Sequence, residues 1–149
     1  MKLADPTDLV IDINGAFGPP ATGGLQFYPV VPCRIADTRS TQSFTGAFGP
    51  PSLAAYSSRD FPILGGSCPI PPSASAYVVN LTAVPSGALS FLSTWAAGQP
   101  YPGVSTLNST SGEIIANAAI VPVGTGGAII VMAANATDLI IDVVGYFAP

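Results

Sequence analysis

Nowhere in this 149-residue chain do apolar side chains recur at helical spacing over ten residues without a breaker. A surface helix needs such an uninterrupted stripe, so strands are what remain. Short alternating or β-branched runs occur instead at Asp8–Ile13, Leu25–Val30, Tyr56–Ile63, Ala76–Val84, Leu89–Trp95, Val104–Asn108, Ile114–Val121, Ala128–Ala133 and Asp138–Phe147. Gly and Pro, 16 residues each, punctuate them. About nine strands at this spacing predict an all-β domain, an antiparallel β-sandwich or jelly-roll-like fold. Pro85-Ser86-Gly87 and Gly124-Thr125-Gly126-Gly127 read as hairpin turns.

Charge narrows the choice of partner. Only 8% of residues are charged, the net charge is −4, and the cations are Lys2, Arg34, Arg39 and Arg59. Nucleic-acid binding needs several cations on one face to displace counterions, so no nucleic-acid partner is expected. The most apolar region, Ile114 to Ala134, is interrupted by Asn117, Pro122 and the Gly124–Gly127 run, which argues against a membrane span. Met1-Lys2-Leu3-Ala4-Asp5-Pro6 has no apolar core of a signal peptide. A surface this poor in charge lacks the repulsion that keeps copies apart.

Cys33 and Cys68 are the only cysteines, and the chain has no histidine. Their spacing is not that of a metal pair. A disulfide is expected, and with it an oxidising compartment. It would close a loop of about 35 residues, worth roughly 3–4 kcal/mol on the chain-entropy model.

The strongest internal signal is a repeat. Residues 5–17 read DPTDLVIDINGAF and residues 135–147 read NATDLIIDVVGYF, identical at seven of thirteen positions at an offset of 130. The identities are Thr7/Thr137, Asp8/Asp138, Leu9/Leu139, Ile11/Ile141, Asp12/Asp142, Gly15/Gly145 and Phe17/Phe147. In a strand, alternate side chains share a face, so Leu9, Ile11 and Ile13 match Leu139, Ile141 and Val143. These residues, with Val10, Phe17 and Phe147, are the expected self-association surface. Residues 1–24 are accordingly read as an N-terminal strand arm and 25–149 as the sandwich domain. A second repeat, Gly-Ala-Phe-Gly-Pro-Pro at 15–20 and 46–51, reads as a reused turn.

Pro32-Cys33-Arg34 with Asp37-Thr38-Arg39, Asn80-Leu81-Thr82, Trp95-Ala96-Ala97-Gly98, Ser105-Thr106-Leu107-Asn108, Ala116-Asn117 and Ile141–Phe147 follow one another in a distinctive order. In that order they resemble a β-rich module of large secreted bacterial proteins, often present in tandem copies. The resemblance runs from about Phe27 to the C-terminus. It implies an extracellular or cell-surface location and an accessory or structural role. Residues 5–17 then look like the last strand of a preceding copy.

Chemistry is sparse. Without histidine the usual general base is missing, and no serine sits in a G-x-S-x-G elbow. Asp37-Thr38-Arg39 places arginine where an aspartic-protease loop needs glycine. Arg34, Asp37 and Arg39 are instead expected to form a structural ion-pair cluster. Asp8/Asp12 and Asp138/Asp142, four apart on strands, would sit roughly 13 Å apart, beyond a glycosidase pair. No catalytic residue, metal site or cofactor is expected. Trp95 with Tyr101 is the candidate platform for stacking a sugar ring. Asn80, Asn108 and Asn135 head N-x-T/S sequons, read as hydrogen-bonding strand residues.

Two functions are therefore expected. The first is a self-assembling structural subunit of a filament, tube or surface layer, joined to copies of itself by head-to-tail strand addition of the arm. The arm has two other fates open to it, an edge strand within its own chain or the remnant of a tandem array. The alternative function is an accessory module binding cell-wall or other polysaccharide through Trp95 and Tyr101.

Overall fold

A computed structural model describes residues 11, 13, 15–19 and 22–149. The described residues form eight strands: β1 (Gln26–Asp37), β2 (Ser57–Phe61), β3 (Ala76–Pro85), β4 (Leu89–Ala96), β5 (Leu107–Ser109), β6 (Ile115–Pro122), β7 (Ile129–Ala133) and β8 (Thr137–Ala148). Three single 3₁₀ turns are the only helical elements among the described residues. None is long and apolar enough to cross a membrane.

The strands form two four-stranded sheets, ordered β1-β8-β3-β6 and β2-β7-β4-β5. Every neighbouring pair is antiparallel. First pairs with last, second with seventh, third with sixth and fourth with fifth, as though one long hairpin had been rolled up. That is the jelly roll. Between the sheets lies a hydrophobic core built from alternate positions of β3, β7 and β8, including Tyr77, Val79, Leu81, Ile129, Val131, Leu139, Ile141 and Val143.

Eight of the nine expected runs are strands. The ninth, Asp8–Ile13, falls mostly outside the described residues, and Ile11 and Ile13 carry no strand. Leu9 and Val10 also lie outside. Neither expected hairpin forms. The turns at Pro85–Gly87 and Gly124–Gly127 each carry the chain from one sheet to the other, because β3 and β6 lie in one sheet and β4 and β7 in the other. Turn residues fix where a chain reverses, whereas the partner of the next strand is chosen by core packing. Among the described strands only β4 and β5 pair with a neighbour in sequence.

The sheet edges are protected unequally. β1 is interrupted by two register shifts and by Pro29 and Pro32. β2 carries Arg59 and Asp60, and β5 is only three residues long. β6 runs eight residues in unbroken register with β3 and has no charge. Among the described residues it is, by the usual rules, the edge least protected against another strand.

Candidate functional site

The repeated motif directs attention to the place its C-terminal copy occupies. β8 sits inside its sheet, paired with β1 along one side and β3 along the other. Leu139, Ile141 and Val143 form one buried row facing the core. Strand addition directly beside this strand is therefore closed off on both flanks.

The polar residues of the motif are held as specifically as the apolar ones. Asp138 Oδ1 accepts hydrogen bonds from Thr38 Oγ1 at 3.0 Å and Ser52 Oγ at 2.6 Å. Thr38 Oγ1 in turn accepts from the Leu139 N–H at 2.8 Å. Asp142 receives Arg34 in a two-point grip, Nε to Oδ1 at 2.8 Å and Nη2 to Oδ2 at 3.1 Å. Thr137 is buried, its hydroxyl donating to the Asp138 carbonyl at 2.9 Å. A Cβ on Gly145 would run into the Phe27 ring and come within 2.8 Å of the Tyr28 carbonyl oxygen. The Phe147 ring centroid lies 5.4 Å from that of Phe27. The sequence did not assign these duties to Asp138 and Asp142. Their retention in both copies of the repeat was the signal for it.

Arg34, Asp37 and Arg39 come together. Asp37 is 0% exposed, and Arg39 binds it through Nε at 2.9 Å and Nη2 at 2.6 Å. Arg34 Nη1 lies 3.5 Å away. The Arg39 hydrogen bonds hold the Asp37 carboxyl below the usual aspartate range, against a burial cost that pushes the other way. The cluster is continuous with the β8 contacts, since Arg34 reaches both Asp37 and Asp142. Its chemistry is that of a clasp around the terminal strand.

The described part of the arm lies over the outer face of the β8 sheet. Phe17 stands 5.9 Å from Phe147, centroid to centroid. Ile13, Phe17, Leu25, Ala76, Ile120 and Phe147 line a groove of about 540 Å³. Yet Ile11 is 74%, Ile13 88% and Phe17 83% exposed. Within one copy these side chains remain in water.

Trp95 and Tyr101 are adjacent, with centroids 5.4 Å apart and planes at 62°. Trp95 is 9% exposed and donates from Nε1 to the Gln99 carbonyl at 3.0 Å. Both rings do not lie in one plane, and Tyr101 is the more exposed. Trp95 lines a cleft of about 470 Å³ between the 99–106 segment and the open edge of β6. Of the sequon residues, Asn108 Nδ2 donates to the Ser90 carbonyl at 2.6 Å. Asn135 Oδ1 accepts from the Ser90 N–H at 3.1 Å.

Arg59 escaped sequence reasoning. Its guanidinium donates to the carbonyls of Gly46, Ala47, Gly49 and Pro51 and sits 5.1 Å over the Phe61 ring. It thereby holds the second Gly-Ala-Phe-Gly-Pro-Pro segment in shape. An arginine beside a glycine-rich loop was the available hint.

The disulfide joins Cys33 on β1 to Cys68 with Cα atoms 5.7 Å apart. Among the described residues no group of three or more metal-ligating side chains assembles. No protein-family model, curated protein or solved structure matches the chain.

Proposed function

We propose that this chain is a non-catalytic extracellular structural subunit that assembles head to tail through its N-terminal arm into a filament, tube or surface layer. The observation that carries this reading is the placement of β8. The arm repeats a strand whose position is already filled and flanked on both sides. Residues 5–17 are thus surplus within one copy, and their described apolar side chains stay in water. Docking on a second copy would cover them, with backbone hydrogen bonds supplying affinity. A head-to-tail contact that does not close into a ring grows without limit. The low charge favours association, and the Cys33–Cys68 bridge suits an oxidising compartment. Asp37, Asp138 and Asp142 are engaged inside the fold, which supports a structural rather than catalytic role.

Size-exclusion chromatography with negative-stain imaging of the full chain tests the reading. Long assemblies are expected, and Ile11→Asp should reduce them to folded monomers, since a charge on a docked apolar face is costly to bury. A wild-type chain that is monomeric at high concentration overturns it.

A polysaccharide-binding role is the second reading, favoured by the exposed Tyr101 ring beside Trp95, which itself lines a cleft. Pull-down on insoluble polysaccharide with the wild-type chain and Tyr101→Ala decides it. Binding that Tyr101→Ala abolishes, in a chain whose assembly is unchanged, would favour this reading over the first.

A further inference from the structure

The seven identities of the repeat coincide with the duties of β8. Thr137, Leu139 and Ile141 are buried, Asp138 and Asp142 are held by Thr38, Ser52 and Arg34, Gly145 leaves no room for a Cβ, and Phe147 packs on Phe27. A strand needing only an apolar face would have no reason to retain two aspartates and a glycine at these positions. An open sheet edge makes no such demands. We propose that residues 5–17 are an alternative terminal strand, which enters the β8 position of a second copy, between its β1 and β3, at the offset of 130.

This rests on the arm-mediated assembly above and names its acceptor. Asp12 would take the Arg34 grip, Asp8 the Thr38 and Ser52 hydroxyls, Leu9 and Ile11 the buried row, and Gly15 the tight approach to Phe27. Where the two strands differ, β8 has the better fit. Ala16 stands in place of Tyr146, whose ring stacks on Tyr28 at 5.3 Å. The resident strand is thus favoured within its own copy, and the arm competes by displacement. Each copy has one such position and two strands that fit it, so exchange leaves the number of filled positions unchanged. Its direction is set by the difference between the strands and by what is gained where copies touch. The second copy is favoured as acceptor because Ile11 and Ile13 are uncovered within their own.

The test weakens the resident strand and asks whether the arm rescues the fold, using full-length chains. Ile141→Asp places a charge in the buried row of β8 and leaves Ile11 intact. Cooperative unfolding by circular dichroism should survive, and apparent mass should rise with concentration. Ile11→Asp combined with Ile141→Asp should abolish cooperative unfolding, whereas Ile11→Asp alone should stay folded. Gly145→Val, which spares the apolar row, should follow the same order. The proposal is overturned if Ile141→Asp and Gly145→Val lose their fold as completely as the double variant, or if both remain folded monomers at every concentration. The two readings fail separately. A monomeric wild type beside a rescued, associating Ile141→Asp chain removes spontaneous assembly and keeps exchange. Wild-type assemblies that need Ile11, beside variants the arm cannot rescue, remove exchange and leave addition at an open edge such as β6.

Discussion

Arg34 on β1 holds Asp142 on β8 through two hydrogen bonds of 2.8 and 3.1 Å, joining residues 108 apart in sequence. Arg34 is partly exposed, so solvent competes for the pair. Asp142→Ala should therefore cost only about 1 kcal/mol. A double-mutant cycle with Arg34→Ala in urea measures the coupling.

Asp37 is a different matter, because it is fully buried and Arg39 is its main partner. Asp37→Asn should cost about 3 kcal/mol, the low end for breaking a buried pair, since both arginines can turn to water. Its carboxyl is held below the ordinary value of about 3.9. The stabilisation is thus complete above that value and lost as pH falls through the lower folded one. Chemical denaturation across pH should show a constant gap between wild type and Asp37→Asn above pH ~4, narrowing below it.

Tyr77 reports on the core at the other end of the scale. Its hydroxyl donates to the Gly127 carbonyl at 2.9 Å, and burial pushes the phenol up to about 12. The unfolded phenol titrates near ~10, so the neutral form is favoured by folding. That contribution is whole below ~10 and disappears as pH rises through the folded value. Stability should fall over this alkaline range with a one-proton slope that Tyr77→Phe lacks. At neutral pH the same variant should lose about 1 kcal/mol from the missing hydrogen bond.

Reducing the Cys33–Cys68 bridge, or replacing both residues with alanine, should lower stability by roughly 3–4 kcal/mol. Thiol titration of the denatured, unreduced chain should find almost no free sulfhydryl.

Gly145→Ala tests the tightness of the terminal strand. The added methyl meets the Phe27 ring and the Tyr28 carbonyl. The ring can move, but the backbone oxygen cannot easily follow. A loss of about 2 kcal/mol is expected, read from the urea midpoint.

Strand existence was legible from alternation because the period of two survives in β3, β7 and β8, where one face meets the core. Which strands pair was not. Gly124–Gly127 looks like a hairpin turn, yet it carries the chain across the sandwich, and nothing local separates the two outcomes. The Arg34–Asp37–Arg39 cluster was readable because three charges stood close together in a chain with few. The grip of Arg34 on Asp142 was invisible, being a contact between the first strand and the last. Arg59 was missed for a related reason: its partners are carbonyls, which every residue carries.

The pairing of first strand with last also has a kinetic side. Closing β1 against β8 brings together segments more than a hundred residues apart, and such long loops close slowly. Residues 5–17 precede β1 along the chain, and β8 follows every other strand, so synthesis supplies them in that order. Until β8 is available, β1 and β3 have no resident strand between them, and the early copy of the motif is the nearest sequence able to shield that gap. The arm would then serve as a placeholder in the nascent chain, evicted when the better-fitting strand arrives.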